Sequence, residues 1–175
     1  MNWRCGLFRL WIVGAALFPA TVAFAQSKDV AYYCVGEAAG GLFYNEKTKK
    51  WEAITGFVPF QRFVLKMKFL GARVRKERAI EEQVSDYKVT VTESDQNIAL
   101  SCRDDDPNKS SDDPNKTVTV SDQFRTFSCA TTSYDYQFNL GTRRFLSIYR
   151  YGYTNGNDNN DDNPSVEAGT CTKID

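Results

Sequence analysis

The chain contains no histidine at all. That absence excludes a Ser-His-Asp or Cys-His nucleophile system and every His-ligated zinc, copper or iron centre. Any catalysis would run on carboxylates, lysine, tyrosine or arginine. No Cys-x-x-Cys pair occurs among the five cysteines, so thioredoxin-type redox chemistry and ribbon-type zinc sites have no support. Long apolar runs are missing too. Only Leu10–Leu17 is strongly hydrophobic, and it falls short of the roughly 18 residues that a membrane-spanning helix needs.

What that short run does resemble is the middle of a secretory signal. Arg4 and Arg9 flank it on the amino-terminal side, and Ala23-Phe24-Ala25 forms a small-x-small cleavage site ahead of Gln26. Residues 1–25 are therefore expected to be removed, which leaves 26–175 as one domain, periplasmic or secreted. That part carries 20 basic and 22 acidic residues, a balance that offers nothing to a nucleic acid. It also retains four cysteines, an even number that in an exported chain reads as two disulfides. Four cysteines allow three connectivities. Cys102 and Cys129 flank one polar stretch, while Cys34 and Cys171 lie in the first and last apolar segments. If the terminal strands lie side by side, the expected pairs are Cys102–Cys129 and Cys34–Cys171.

Hydrophobic alternation dominates the mature part. Tyr134, Tyr136, Phe138 and Leu140 alternate with polar residues, Asn139 to Thr142 supplies a turn, and Phe145, Ser147, Tyr149, Tyr151 and Tyr153 then share one face. This predicts an antiparallel hairpin with a long second arm. Leu146 and Ile148 on the opposite face suggest a sheet covered on both sides. A second hairpin is expected at Leu42–Tyr44 and Trp51–Ile54. Its turn matches the first: both read aromatic-Asn-x-x-Thr-basic-basic-aromatic, at Tyr44–Trp51 and Phe138–Phe145. Gly36, Gly40 and Gly41 are expected to break the first strand, and Gly71 to end the strand at Phe63–Phe69. Val74–Val84 is the one stretch with helix-forming composition and an Arg78–Glu82 spacing of i,i+4, although a charged hairpin accounts for it almost as well. The prediction is an all-β antiparallel barrel or sandwich of nine or ten short strands, with a possible short helix near 74–84.

Four features are candidates for function. The tyrosines Tyr134, Tyr136, Tyr149, Tyr151 and Tyr153 could line a cavity for a partly polar ligand, although aromatic stripes at strand spacing usually fill a core. Asp104, Asp106, Asp158 and Asp161 supply hard oxygen donors for calcium, but no EF-hand spacing is present and acidic loops are usually just solvated. The segment from Leu42 to Lys88 is basic while both Asp-rich stretches are acidic, an asymmetry able to steer an anionic partner. Glu52, Glu93 and Glu167 sit in separate segments, so no spacing singles out a carboxylate pair for glycoside chemistry. No cofactor is indicated.

The closing residues Arg144-Phe145, Tyr149, Gly152-Tyr153 and Pro164-Ser165-Val166-Glu167-Ala168-Gly169-Thr170-Cys171 resemble the end of a family of small exported proteobacterial proteins to which no activity is attached. The resemblance covers about the last forty residues well and implies export and a shared fold. The expectation is thus an exported, non-enzymatic binding domain for an unknown small molecule or protein, in the periplasm or cell envelope. The alternative is a carboxylate-based hydrolase acting on an envelope glycan.

Overall fold

A computed structural model describes residues 29–57, 61–77, 80–94, 98–104 and 117–174. The expected signal peptide, Arg78 and Asp106 lie outside these residues. The described chain is all-β. In order the strands are β1 (Val30–Asn45), β2 (Lys50–Phe57), β3 (Arg62–Glu77), β4 (Ile80–Glu93), β5 (Ala99–Ser101), β6 (Thr117–Ser121), β7 (Thr126–Ala130), β8 (Tyr134–Asn139), β9 (Arg144–Tyr149) and β10 (Ser165–Ile174). All pair antiparallel in one ten-stranded sheet, with the path β5-β4-β3-β1-β10-β9-β8-β7; β2 adds to β1 and β6 to β4. Among the described residues no helix is long and apolar enough to cross a membrane.

The sheet folds over on itself and is sandwich-like, not a closed barrel. Phe63 on β3 packs against Tyr136 at 5.4 Å, Phe138 at 6.2 Å and Phe145 at 5.0 Å between ring centroids. These contacts bring β3 onto β8 and β9, and tilted or edge-on rings at such separations gain quadrupolar attraction besides burial. Leu65, Met67, Val89, Val91 and Val118 complete the interior. Among the described residues the end strands pair at one place, where Arg103 and Ala130 form an isolated bridge beside the Cys102–Cys129 disulfide. A single bridge is too little to continue the ladder, so the barrel is not closed by hydrogen bonding there.

The stretch at 74–84 is not a helix. It forms the far arms of a β3–β4 hairpin in which Arg75 lies opposite Glu82 and Lys76 opposite Glu81. Arg75–Glu82 and Lys76–Glu81 are ion-paired at 2.7 and 3.1 Å, and Arg73 reaches Asp86 diagonally at 2.7 Å. A helix there would have had only a thin apolar stripe to bury, whereas the hairpin neutralises charge across its ladder. The glycines do not break strands either. β1 runs through Gly36, Gly40 and Gly41 with a bulge between Gly36 and Ala38, and β3 passes Gly71 with a bulge after Phe69. Gly bulges bend a strand without ending its pairing.

β9 is interior to the sheet, between β8 and β10, yet its outer face is bare: Leu146 is 41% exposed. The expected second cover is absent among the described residues. The strand also stops at Tyr149, not Tyr153, because the chain turns at Gly152. There φ is +92°, and a Cβ would lie 1.8 Å from the Asp162 carbonyl oxygen. Both conditions favour glycine.

Candidate functional site

One polar pocket opens at the end of the interior where β8, β9 and β10 leave the core. Register sets it up: Tyr134 on β8 lies opposite Tyr149 on β9, and Tyr149 opposite Ser165 on β10. Side chains two residues apart share a face, so Glu167 on β10 points the same way, as does its cross-strand neighbour Ala39 on β1. Residues 161–163 close the remaining side. The cavity is about 270 Å³ and is lined by Tyr134, Tyr149, Asp161, Asp162, Asn163 and Glu167, with Ala39 and Ser165. The tyrosine rings are 5.3 Å apart.

The lining is rich in acceptors. Tyr149 donates its hydroxyl to Asp162 in a very short hydrogen bond. That bond, with burial and the Asp162 charge behind it, pushes the phenol up to about 12. The Glu167 carboxylate is buried, and its Oε1 accepts the Gln61 backbone N–H at 3.0 Å. The Ser147 hydroxyl donates to the Gln61 side-chain oxygen at 2.6 Å. Just below, Tyr136 is buried, and burial raises its phenol strongly, with Glu93, Tyr134 and Glu167 adding to the effect. Asn163 Oδ1 is buried with no hydrogen-bond partner. A buried acceptor left unpaired is costly.

Glu167 also explains Gly36. A Cβ at Gly36 would fall 1.6 Å from Glu167 Oε1, so the carboxylate occupies the space a side chain would need. Gly169 serves packing in the same motif, since its Cβ would meet the Val35 carbonyl at 2.1 Å and the Phe145 ring at 2.5 Å.

The polar stretch before β10 is docked rather than simply solvated. Asn160 acts like an extra strand residue: its side chain accepts the Tyr44 N–H and donates to the Tyr44 carbonyl, both at 2.8 Å. Trp51 Nε1 donates to Asp158 at 3.0 Å, and the Leu42 N–H donates to the Pro164 carbonyl at 2.9 Å.

Of the five tyrosines singled out from sequence, only Tyr134 and Tyr149 line this pocket. Tyr136 is a core residue beneath it. Tyr151 donates to the Thr132 carbonyl at 2.7 Å, and Tyr153 packs edge-on against Trp51 at 5.7 Å, both outside the cavity. The calcium candidates among the described residues, Asp104, Asp158 and Asp161, do not assemble. Asp158 is taken by Trp51, Asp161 lies at the pocket, Asp104 accepts from the Thr119 N–H, and no cluster of three or more His, Cys, Asp or Glu with metal-binding geometry occurs among the described residues. Glu52 serves the β1–β2 turn, where it accepts from Asn45 and Thr48. Gln61 was not legible as a site residue, because it acts through Glu167 and Ser147, both far from it in sequence.

Comparison with protein families, with curated proteins and with solved structures finds no match.

Proposed function

We propose that this is an exported binding domain, periplasmic or secreted, whose ligand inserts a small cationic donor group, an amine or guanidinium, into the pocket between Tyr134 and Tyr149. The acidic lining carries this reading, because Asp161, Asp162 and Glu167 border one pocket whose lining residues include no lysine or arginine. Two aromatic faces add attraction for a cation. The volume is just under the range of about 300–1,000 Å³ usual for drug-sized ligands, which suits a side chain or small head group. Two disulfides fit an oxidising compartment.

The hydrolase alternative would draw on Asp162 and Glu167 of the same pocket. Against it, Asp162 and Glu167 are already engaged as acceptors by Tyr149 and Gln61. This favours holding a ligand over moving a proton.

Thermal melts with argininamide, methylammonium and N-acetylglucosamine test the reading. A ligand bound only to the native state raises the melting temperature, and occupancy at a hundred times Kd gives about 2.7 kcal/mol. We expect a rise with either cation, none with the sugar, and loss of the rise in Asp162→Asn. A rise with the sugar alone, or release of a reducing end from an envelope glycan, would overturn it.

A further inference from the structure

The outer face of β1, β10 and β9 is the mirror problem of the pocket: an apolar surface with a built-in pattern, bordered at its Ile148 end by Tyr153 and Thr154 and otherwise exposed. Register arranges it in rows across the three strands. Ala38 lies opposite Ala168, and Ala168 opposite Leu146; one step along, Gly40 lies opposite Val166, and Val166 opposite Ile148. At the other end Thr170 lies between Val35 on β1 and Arg144 on β9, and it donates its hydroxyl to Glu37, the bulge residue of β1, in a very short hydrogen bond. The first two rows run from a small residue on β1 to a bulky one on β9, and beside the third the Glu37 carboxylate and Arg144 lie on opposite sides of Thr170. Leu146 and Val166 are 41% and 46% exposed. Two troughs of about 650 and 560 Å³ flank the β10 row and share Ala168.

We propose that this face packs against the same face of a second copy of the chain, about a two-fold axis running along β10. Rotation about such an axis exchanges the β1 and β9 sides and leaves position along the strand unchanged. Leu146 then meets Ala38 of the second copy, Ile148 meets Gly40, and Arg144 meets Glu37, each contact made twice. Only the β10 residues Val166, Ala168 and Thr170 meet themselves. Strands two apart in a sheet are separated by about 10 Å, the same spacing at which sheets stack, so bulky β9 side chains can reach over the small β1 floor. A two-fold axis across the strands does worse, since it sets Glu37 and Arg144 against Gly40 and Ile148 and buries charge on apolar surface. The pattern is thus self-complementary in size and in charge for one axis, as an isologous interface requires.

Sedimentation equilibrium of the oxidised protein tests this. We expect a reversible dimer. Leu146→Lys should weaken it at least about tenfold by placing two charges in the apolar rows. Glu37→Arg and Arg144→Glu should each weaken it about tenfold by opposing like charges. Combined in one chain they should restore the dimer to within about threefold of the original, because the pair is re-formed with its signs exchanged. Both charged positions are exposed, so these variants carry the test even if Leu146→Lys disturbs folding. A single-chain mass at all concentrations up to about 1 mM, a strength at which no useful association exists, overturns the proposal. So does a double variant no tighter than the singles.

Discussion

Gly36, Gln61, Ser147 and Glu167 come from four separate segments and meet at one buried point. Glu167 fills the space that Gly36 leaves and accepts from Gln61, and Gln61 accepts from Ser147. A buried carboxylate is tolerated only when hydrogen-bonded in this way. Above it Tyr149 supplies a direct test of the pocket geometry. Its hydroxyl should titrate at about 12, against about 10 for an ordinary tyrosine. Asp162→Asn should bring it back toward 10. The difference in phenolate absorbance between the protein and Tyr149→Phe reads both values. Between those two pH values the folded protein keeps a proton that the unfolded chain has lost. The Tyr149 contribution to stability is therefore complete below about pH 10 and is lost as pH rises through 12. Titration at an ordinary value would mean that Tyr149 does not face Asp162.

At the scale of elements, the twin turns show one local solution used twice. Asn45 Oδ1 accepts from the Lys47 and Thr48 N–H groups at 3.0 and 3.3 Å, and Asn139 Oδ1 accepts from the Thr142 N–H at 2.9 Å. Both turns close through a basic residue in the left-handed region, Lys49 at φ 54° and Arg143 at φ 57°. An Asx turn of this kind was readable from the repeated motif because all its bonds lie within a few residues. Asn45→Ala and Asn139→Ala should each cost about 1 kcal/mol in urea unfolding, the usual worth of such hydrogen bonds. A cost near zero for both would show that the strands set the turns rather than the reverse. The charged arms of β3 and β4 were less legible. Arg75 and Glu82 satisfy helical composition, and only the partner strand shows that they oppose each other.

For the whole molecule the disulfides act on different joints. Cys34 and Cys171 are direct cross-strand partners of β1 and β10, with Cα atoms 4.0 Å apart. They tie the two ends of the chain together at the centre of the sheet path. Cys102 and Cys129, with Cα atoms 5.3 Å apart, hold the seam beside the Arg103–Ala130 bridge. Replacing Cys34 and Cys171 together by serine should cost about 2–5 kcal/mol by urea unfolding, because the closed loop is long. Replacing Cys102 and Cys129 should instead speed amide exchange first at β5 and β7. Uniform acceleration across the sheet would argue that the seam has no separate opening.

Alternation, turn chemistry and cysteine parity were enough to establish an all-β chain with two matched hairpins, because period-two patterning and Asx turns are local properties. The same locality misled where glycine was involved. Gly36 and Gly71 look like strand ends until the neighbouring strands show that each stays paired beside a bulge. Of the tyrosine stripe, local spacing could not separate Tyr134 and Tyr149, which line a pocket, from Tyr136 in the core and Tyr151 and Tyr153 outside it. That division depends on where Gly152 turns the chain and on residues 161–163 folding back. The pocket and the bare outer face are likewise products of register between distant strands. Side-chain direction follows from the chain's own periodicity, but which groups share a cavity depends on which strands become neighbours, and only the folded sheet decides that.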